Sequence, residues 1–404
     1  MRFALLCDDP LARPLVDALG AQVDGHRLTR AVRMTPQSDE LLHGRRDVSF
    51  VEHWEDLLVA KDVDAVIVGG SDVRILEGAK QLATAGISIL FVPAAEQSST
   101  FVYELSLIRD DNHVSLYPLF WHRFDAAVAR LRKAMDEGEL GRVQFLQLHR
   151  AIPQPAAGMP ISQAEVDAEL LRDIDLPRWL IGDYNQITGL RTAATHEGVL
   201  MQSVVLAGRS LPEFNWSING VDGPSEWKLT VRGDRGTAEL HRNGSSRQWV
   251  CTIDGKQVEG DERSTARGVL EAFAALTSGG TRSTNDITPI DEVNRDWGEL
   301  VKCFETVDAT HRSVARRRTI ELHFEPMSER AIFKTQMTAI GCGLLVATFL
   351  LTLCYLGIAS VVPLPSFVLI GLRTLVFIPL VLFLFAQILL PLTRPSSNDR
   401  QSAR

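Results

Sequence analysis

Two short apolar runs with an amphipathic segment between them define the first half of the chain. Residues 65–68 and 87–92 are unbroken apolar runs rich in branched side chains, a pattern typical of parallel strands buried on both faces. Between them, apolar residues recur at helical spacing over 75–83, and Gly86 ends the predicted helix. The pattern therefore predicts a strand–helix–strand unit within a parallel sheet.

The same pattern extends this sheet and adds a second one. Apolar runs predict strands over 2–7 and 27–34, with a helix over 11–19 between them. Beyond residue 143, apolar and polar residues alternate, and this predicts strands at 144–149, 200–206, 214–219, 226–232, 236–241 and 247–253. The predicted fold class is an α/β Rossmann-type parallel-sheet domain, 1–142, followed by an α+β domain with an open antiparallel sheet, 143–325.

The last quarter of the chain has a different pattern. After a linker, 326–336, the runs 337–362 and 367–392 are almost free of charge, and each is long enough for a transmembrane helix. Basic residues precede the first run, and others follow the second run in the tail, 393–404. This distribution predicts a membrane location with the soluble domains and both termini in the cytoplasm. The expected partners are then the lipid bilayer and a membrane protein.

Composition and charge narrow the functional classes. The chain of 404 residues has a formal net charge of −8 and no basic stripe interleaved with aromatic residues, so no nucleic-acid partner is expected. Its five cysteines show no metal-ligand spacing, and no metal site is predicted. The absence of a disulfide-like framework fits a reducing compartment.

Several segments of the first half resemble one family of enzymes. The strand DVDAVIV (62–68), the segment FWHRFDAAV (120–128) and the helix end LRKAMDEGELGRV (131–143) resemble the Gfo/Idh/MocA family of nicotinamide-dependent oxidoreductases. The resemblance implies a dinucleotide-binding domain, NAD or NADP as cofactor, a sugar-type substrate and a homodimer formed through the sheet of the second domain.

Three signatures that the resemblance implies are substituted in this chain. The glycines of G-x-G-x-x-G, which let the backbone approach a pyrophosphate, fall on Cys7, Asp9 and Ala12. The family's catalytic lysine falls on Pro93, and its general acid–base histidine falls on Arg172, which stays protonated near neutral pH. The sequence predicts instead that acidic residues stabilise the first helix start.

The residues that remain as site candidates form two groups. The cofactor-facing candidates are Gly69, Gly70 and Ser71, which follow the strand at 65–68. The candidates for lining the active cleft are His122, Arg123, Arg172 and Asp175. Arg33 is a candidate for meeting the 2′-phosphate of NADP, and His196 for replacing the missing histidine.

Three functions are compatible with this pattern. The first is a membrane-anchored homologue of these oxidoreductases that has lost the usual NAD(P)-dependent catalysis and serves as a binding or scaffold module. The alternative is an active NAD(P)-dependent oxidoreductase that acts on a sugar-type substrate at the membrane. A third possibility is an assembly role beside a membrane complex, with the predicted helical hairpin as the contact surface.

Overall fold

The architecture was analysed in a computed structural model of the chain. It describes residues 1–45, 47–154, 159–193, 198–243, 248–277, 289–324 and 348–352. The chain divides into a compact unit, Met1–Phe324, and a second unit, Glu325–Arg404.

The first half of the compact unit is built on a parallel sheet. Its elements are β1 (Arg2–Cys7), α1 (Arg13–Gly20), β2 (Arg27–Val32), α2 (Pro36–Leu41), β3 (Ser49–Val51), β4 (Ala65–Gly69), α3 (Val73–Thr84), β5 (Ser88–Val92), α4 (Ser99–Asn112), β6 (Leu116–Pro118) and α5 (Ala126–Asp136). Within the described residues the strand order is β3-β2-β1-β4-β5-β6, and all neighbouring pairs are parallel. This is the doubly wound Rossmann order, and its reversal between β1 and β4 creates a crevice at the carboxyl ends of the strands.

The second half is built on a larger sheet. Its elements are β7 (Val143–Pro153), β8 (Ile161–Ser162), α6 (Gln163–Ile181), β9 (Gln186–Ala193), β10 (Gly198–Gly208), β11 (Leu211–Val221), β12 (Glu226–Gly233), β13 (Thr237–Asn243), β14 (Val250–Ile253), β15 (Lys256–Glu259), α7 (Glu262–Thr277), α8 (Pro289–Arg316) and β16 (Ile320–Glu321). Among the described strands the order is β15-β14-β13-β12-β7-β11-β10-β9-β16, and β8 pairs with β10.

The predicted fold class is confirmed except in two respects. The first concerns the second sheet, which is mixed, because β7 and β11 pair in parallel while its other neighbouring strands are antiparallel. Alternation along one strand reports which face is buried, but it carries no information on the direction of the neighbouring strand.

The second concerns the membrane. Nowhere in the described part of the chain is there a helix with both the length and the apolar character that crossing a bilayer requires. The predicted transmembrane helices are 337–362 and 367–392. Only residues 348–352 of these two ranges are among the described residues. A span needs about 20 continuous helical residues, and apolar composition alone does not supply them. The predicted membrane location with both termini cytoplasmic is corrected on this finding.

Helices α7 and α8, which follow β15 in the chain, pack against the first sheet. Phe273 on α7 packs against Phe3 of β1, with ring centroids 5.9 Å apart. Trp297 on α8 packs edge-on against Phe91 of β5 at 5.4 Å, and its indole N–H donates to the carbonyl of Val102. Through these contacts, residues that follow the second sheet pack on the first sheet within the one compact unit. The domain bounds 1–142 and 143–325 stay predictions.

Candidate ligand-binding cleft

A cleft lies between the carboxyl ends of the first sheet and the helix-covered face of the second. It comprises two neighbouring cavities of about 140 and 360 Å³. Both cavities are lined by Leu11, Trp121, Arg172, Arg242 and Trp249. The larger volume is within the range of small-molecule sites, roughly 300–1,000 Å³.

Three cross-strand neighbours form one wall of the smaller cavity. Trp227 on β12 pairs with Arg150 on β7 and with Arg242 on β13. Directly paired residues point to the same face of a sheet, so these three side chains form a row directed towards α6. All three line the smaller cavity. Two arginines thus lie on a sheet face whose buried residues are mostly apolar.

Asp173 of α6 holds this row in place. Its carboxylate accepts hydrogen bonds from Arg150 Nε at 2.9 Å and from a terminal nitrogen of the same guanidinium at 2.7 Å. It also accepts from the indole N–H groups of Trp216 at 2.8 Å and Trp227 at 2.9 Å. Burial acts to raise the pKa of Asp173, but Arg150 and the two indole hydrogen bonds together leave the pKa lowered. A buried charge with this many partners is fixed in position.

Arg172 occupies the position where the resemblance implies a histidine. Its guanidinium contacts Glu169 Oε1 at 2.7 Å, while Glu169 Oε2 lies 2.5 Å from Arg150. Pro93 follows β5 and lines the smaller cavity together with Arg172. Neither a proline nor an arginine exchanges a proton near neutral pH. These two positions therefore provide no general acid or base.

Asp175 forms a second buried cluster beside the cleft. It contacts His122 Nε2 at 2.7 Å and accepts two hydrogen bonds from Arg123, at 2.7 and 2.8 Å. The hydrogen bond from His122 and the charge of Arg123 hold the pKa of Asp175 well below its usual range, although burial acts in the opposite direction. His122 lines the smaller cavity, whereas Arg123 and Asp175 line neither one. Asp175, itself held by Arg123, fixes the position of the His122 ring.

In the loop after β1, the backbone amides of Leu11, Ala12 and Arg13 are all donated within the loop. Asp9 caps a 3₁₀ helix, Pro10–Ala12, and its side chain accepts from the N–H of Leu11 at 2.8 Å. The N–H of Ala12 donates to the carbonyl of Asp9, and the N–H of Arg13 donates to that of Pro10. Pro10 and Pro14 have no N–H to offer. The residues present therefore do not fit the phosphate cradle of a dinucleotide.

Asp8 adds a carboxylate at the crevice between β1 and β4. Its Oδ2 accepts from Thr35 Oγ1 at 3.3 Å, and burial raises its pKa. Gly70 follows β4 at φ +120°, and a Cβ there would lie 1.8 Å from Asp8 Oδ1. The carbonyl of Gly70 accepts from Gln97 Nε2 at 2.8 Å. The carboxylate of Asp8 thus occupies the space above this glycine.

The remaining sequence candidates lie away from the cleft. Gly69 ends β4, Ser71 is exposed after it, and with Gly70 they line neither cavity. Arg33 pairs with Asp39 at 3.1 Å and stacks on a phenyl ring. His196 lies outside the described residues. Within those residues, no group of three or more His, Cys, Asp or Glu side chains is arranged to hold a metal ion.

Gly70→Ala is expected to lower the free energy of unfolding by about 2 kcal/mol, because alanine is strained at positive φ and its methyl would meet Asp8. Gly86→Ala is the matched control, since Gly86 also has positive φ (+78°) but nothing within 4 Å of an added Cβ. Urea unfolding of both variants measures the difference. Equal losses, or no recovery when Asp8→Ala is added to Gly70→Ala, would contradict the steric role of Asp8.

Comparison with known proteins supports the fold. No protein-family model matches the chain. A myo-inositol dehydrogenase, Hyg17, from Streptomyces leeuwenhoekii is 31% identical over 127 residues, which is 31% of this chain and 39% of the relative. The matched part therefore spans under two fifths of the length of the curated relatives.

Solved structures match over a longer range. A myo-inositol dehydrogenase from Corynebacterium glutamicum superposes with a TM-score of 0.60 at 16% identity, covering 80% of this chain and 99% of the other. An oxidoreductase from Agrobacterium radiobacter, in complex with NAD⁺, L-tartaric acid and magnesium, gives 0.61 at 14% identity, over 80% and 98%.

These homologues and structural neighbours are inositol dehydrogenases and oxidoreductases of the Gfo/Idh/MocA type, and the chain has their fold. The sequence-based resemblance is confirmed to that extent, and it makes NAD a candidate cofactor. The roles of the individual site residues stay predictions.

Proposed function

We propose that this chain is a small-molecule-binding protein built on a dehydrogenase scaffold, without NAD(P)-dependent hydride transfer at the usual site. The observation that carries the proposal is the loop after β1. From Pro10 to Pro14, every backbone N–H that exists is already donated within the loop, and Asp8 adds a negative charge where two phosphates belong.

The cleft supports the same proposal from the substrate side. Pro93 and Arg172 stand at the positions where the family resemblance implies a lysine and a histidine. The cleft nevertheless keeps its volume, its aromatic walls and its fixed polar groups. A pocket that retains shape and polarity but lacks groups for proton transfer suits binding better than catalysis.

The alternative is an active NAD-dependent oxidoreductase acting on a polyol or sugar. The relatives named inositol dehydrogenase favour it, and so does the structural neighbour that holds NAD⁺. It requires a cofactor-binding mode that does not use the amides after β1. The homodimer stays a prediction under either function.

Cofactor binding separates the two functions. We expect no saturable heat of binding when the full chain is titrated with NADH or NADPH up to about 1 mM, since lost amide donors and added carboxylates each cost on the order of tenfold or more in affinity. We also expect no NAD reduction with myo-inositol. A characterised inositol dehydrogenase measured in the same buffer is the positive control.

Saturable NADH binding in the micromolar range would overturn the proposal, and NAD reduction with a polyol or sugar would establish the alternative. In that case Asp9→Ala should raise the NADH affinity, because Asp9 consumes the amide of Leu11. Asp39→Ala is the matched control, since Asp39 is exposed.

A further inference from the structure

We infer that the cleft selects a carboxylated sugar or polyol, with Arg242 as the residue that recognises the carboxylate. This inference deepens the proposed function and rests on it. It starts from the placement of Arg242 on the face of β13 that also carries the buried residues Ala238 and Leu240. An arginine on such a face normally has a carboxylate partner.

Arg242 has no such partner in the described part of the chain. No carboxylate of the described residues lies within ion-pair distance, and its one aromatic contact is with Trp249, whose ring centroid lies 5.4 Å from the guanidinium carbon. By contrast, Arg150 contacts both Asp173 and Glu169, and Arg172 contacts Glu169. Asp173 and Glu169 are therefore committed to other arginines.

The electrostatic surroundings agree with this geometry. Burial and the nearby charge of Arg150 lower the pKa of Arg242, and the carboxylates of Glu169 and Asp173 act in the opposite direction without reversing the shift. Burial raises the pKa of Asp9, and the charge of Arg172 opposes that rise, so Arg172 has a second acidic neighbour. Among the three cleft arginines, Arg242 is the one whose guanidinium N–H groups are available to bind a ligand carboxylate.

The walls around Arg242 suit a ring with one apolar face. Trp249 and Trp121 line both cavities, and Trp249 is held edge-on against Trp227 with ring centroids 4.4 Å apart. Indole rings present flat apolar surface together with a polar N–H. A carboxylated pyranose offers C–H groups to the indoles and an anion to Arg242, which no neutral polyol does.

The test compares D-glucuronate with D-glucose, which has the same ring but no carboxylate, by calorimetry on the full chain. We expect glucuronate to bind about 10- to 100-fold more tightly, the factor for a charge-assisted hydrogen-bonded pair. Arg242→Gln should abolish this preference, and Arg242→Lys should keep part of it. Arg232→Gln on the neighbouring strand is the matched control, because Arg232 is exposed and lines neither cavity.

The outcomes distinguish this inference from the proposed function. Equal affinity for the two sugars, or a preference that survives Arg242→Gln, would overturn the role of Arg242 and leave the binding function in place. Absence of binding by glucuronate up to about 10 mM would also overturn it. Turnover with NAD would refute the proposed function. The ratio of the affinities for glucuronate and glucose would still test the role of Arg242. Retained far-UV circular dichroism in both Arg242→Gln and Arg242→Lys shows that these variants fold.

Discussion

Asp173→Asn is expected to lower the free energy of unfolding by about 3–5 kcal/mol, the range for breaking a buried ion pair by removing one partner. The carboxylate of Asp173 accepts two hydrogen bonds from Arg150 and one each from Trp216 and Trp227. An amide has one acceptor oxygen, and its NH₂ group would face other donors. Arg150 would then keep Glu169 as its remaining carboxylate contact.

Urea unfolding of the full chain at about pH 7, followed by far-UV circular dichroism, measures this loss. Asp136→Asn is the matched control, because Asp136 is exposed and pairs with Arg132 one helical turn away, at 3.1 Å. An exposed pair of this kind contributes less than about 0.5 kcal/mol. If Asp173→Asn lost no more stability than this control, the four hydrogen bonds would not be holding the cleft wall together.

The parallel sheet could be predicted because strands that are buried on both faces consist of unbroken apolar runs. The prediction for 65–68 compares with Ala65–Gly69, and that for 87–92 compares with Ser88–Val92. The first strand was predicted at its observed bounds, Arg2–Cys7. Each of these strands carries its own burial signal, so no knowledge of its neighbours is needed.

The arrangement of the second sheet could not be predicted in the same way. The strands from β10 to β14 were located within a few residues, whereas β15 was not predicted. The sequence also did not show that β7 lies between β11 and β12, far from both in the chain. Its pairing with β11 is parallel and with β12 antiparallel. Strand order of this kind is decided by packing across the whole unit, which alternation along one strand does not report.

The cleft shows which site residues the sequence could have revealed. His122, Arg123, Arg172 and Asp175 were predicted to line it. His122 and Arg172 line the smaller cavity, whereas Arg123 and Asp175 line neither cavity. Arg150 and Arg242 were missed, although each follows apolar residues at alternate positions of its strand, such as Leu146 before Arg150. An arginine at an inward position of an alternating strand is a signal for a buried ion pair or a ligand contact.

Asp175→Asn is expected to lower the free energy of unfolding by about 3 kcal/mol at about pH 7, because the charged hydrogen bonds of Arg123 and His122 to this carboxylate would be lost. The loss should also depend on pH in a defined direction. The pKa of Asp175 in the folded chain lies below the unfolded value of about 3.9. Its contribution is thus fully present above that value and declines as the pH falls towards the folded-state pKa.

The stability difference between the wild type and Asp175→Asn should therefore be largest at about pH 5 and shrink towards about pH 3, where the unfolded wild-type carboxyl is protonated. Urea unfolding at pH steps across this range measures it. Asp39→Asn serves as the control, since Asp39 forms an exposed pair with Arg33 and its loss should leave the acid limb of the wild-type curve unchanged. A difference that stays constant down to about pH 3 would mean that Asp175 is not held ionised by His122 and Arg123, and that His122 is positioned in the cleft by packing alone.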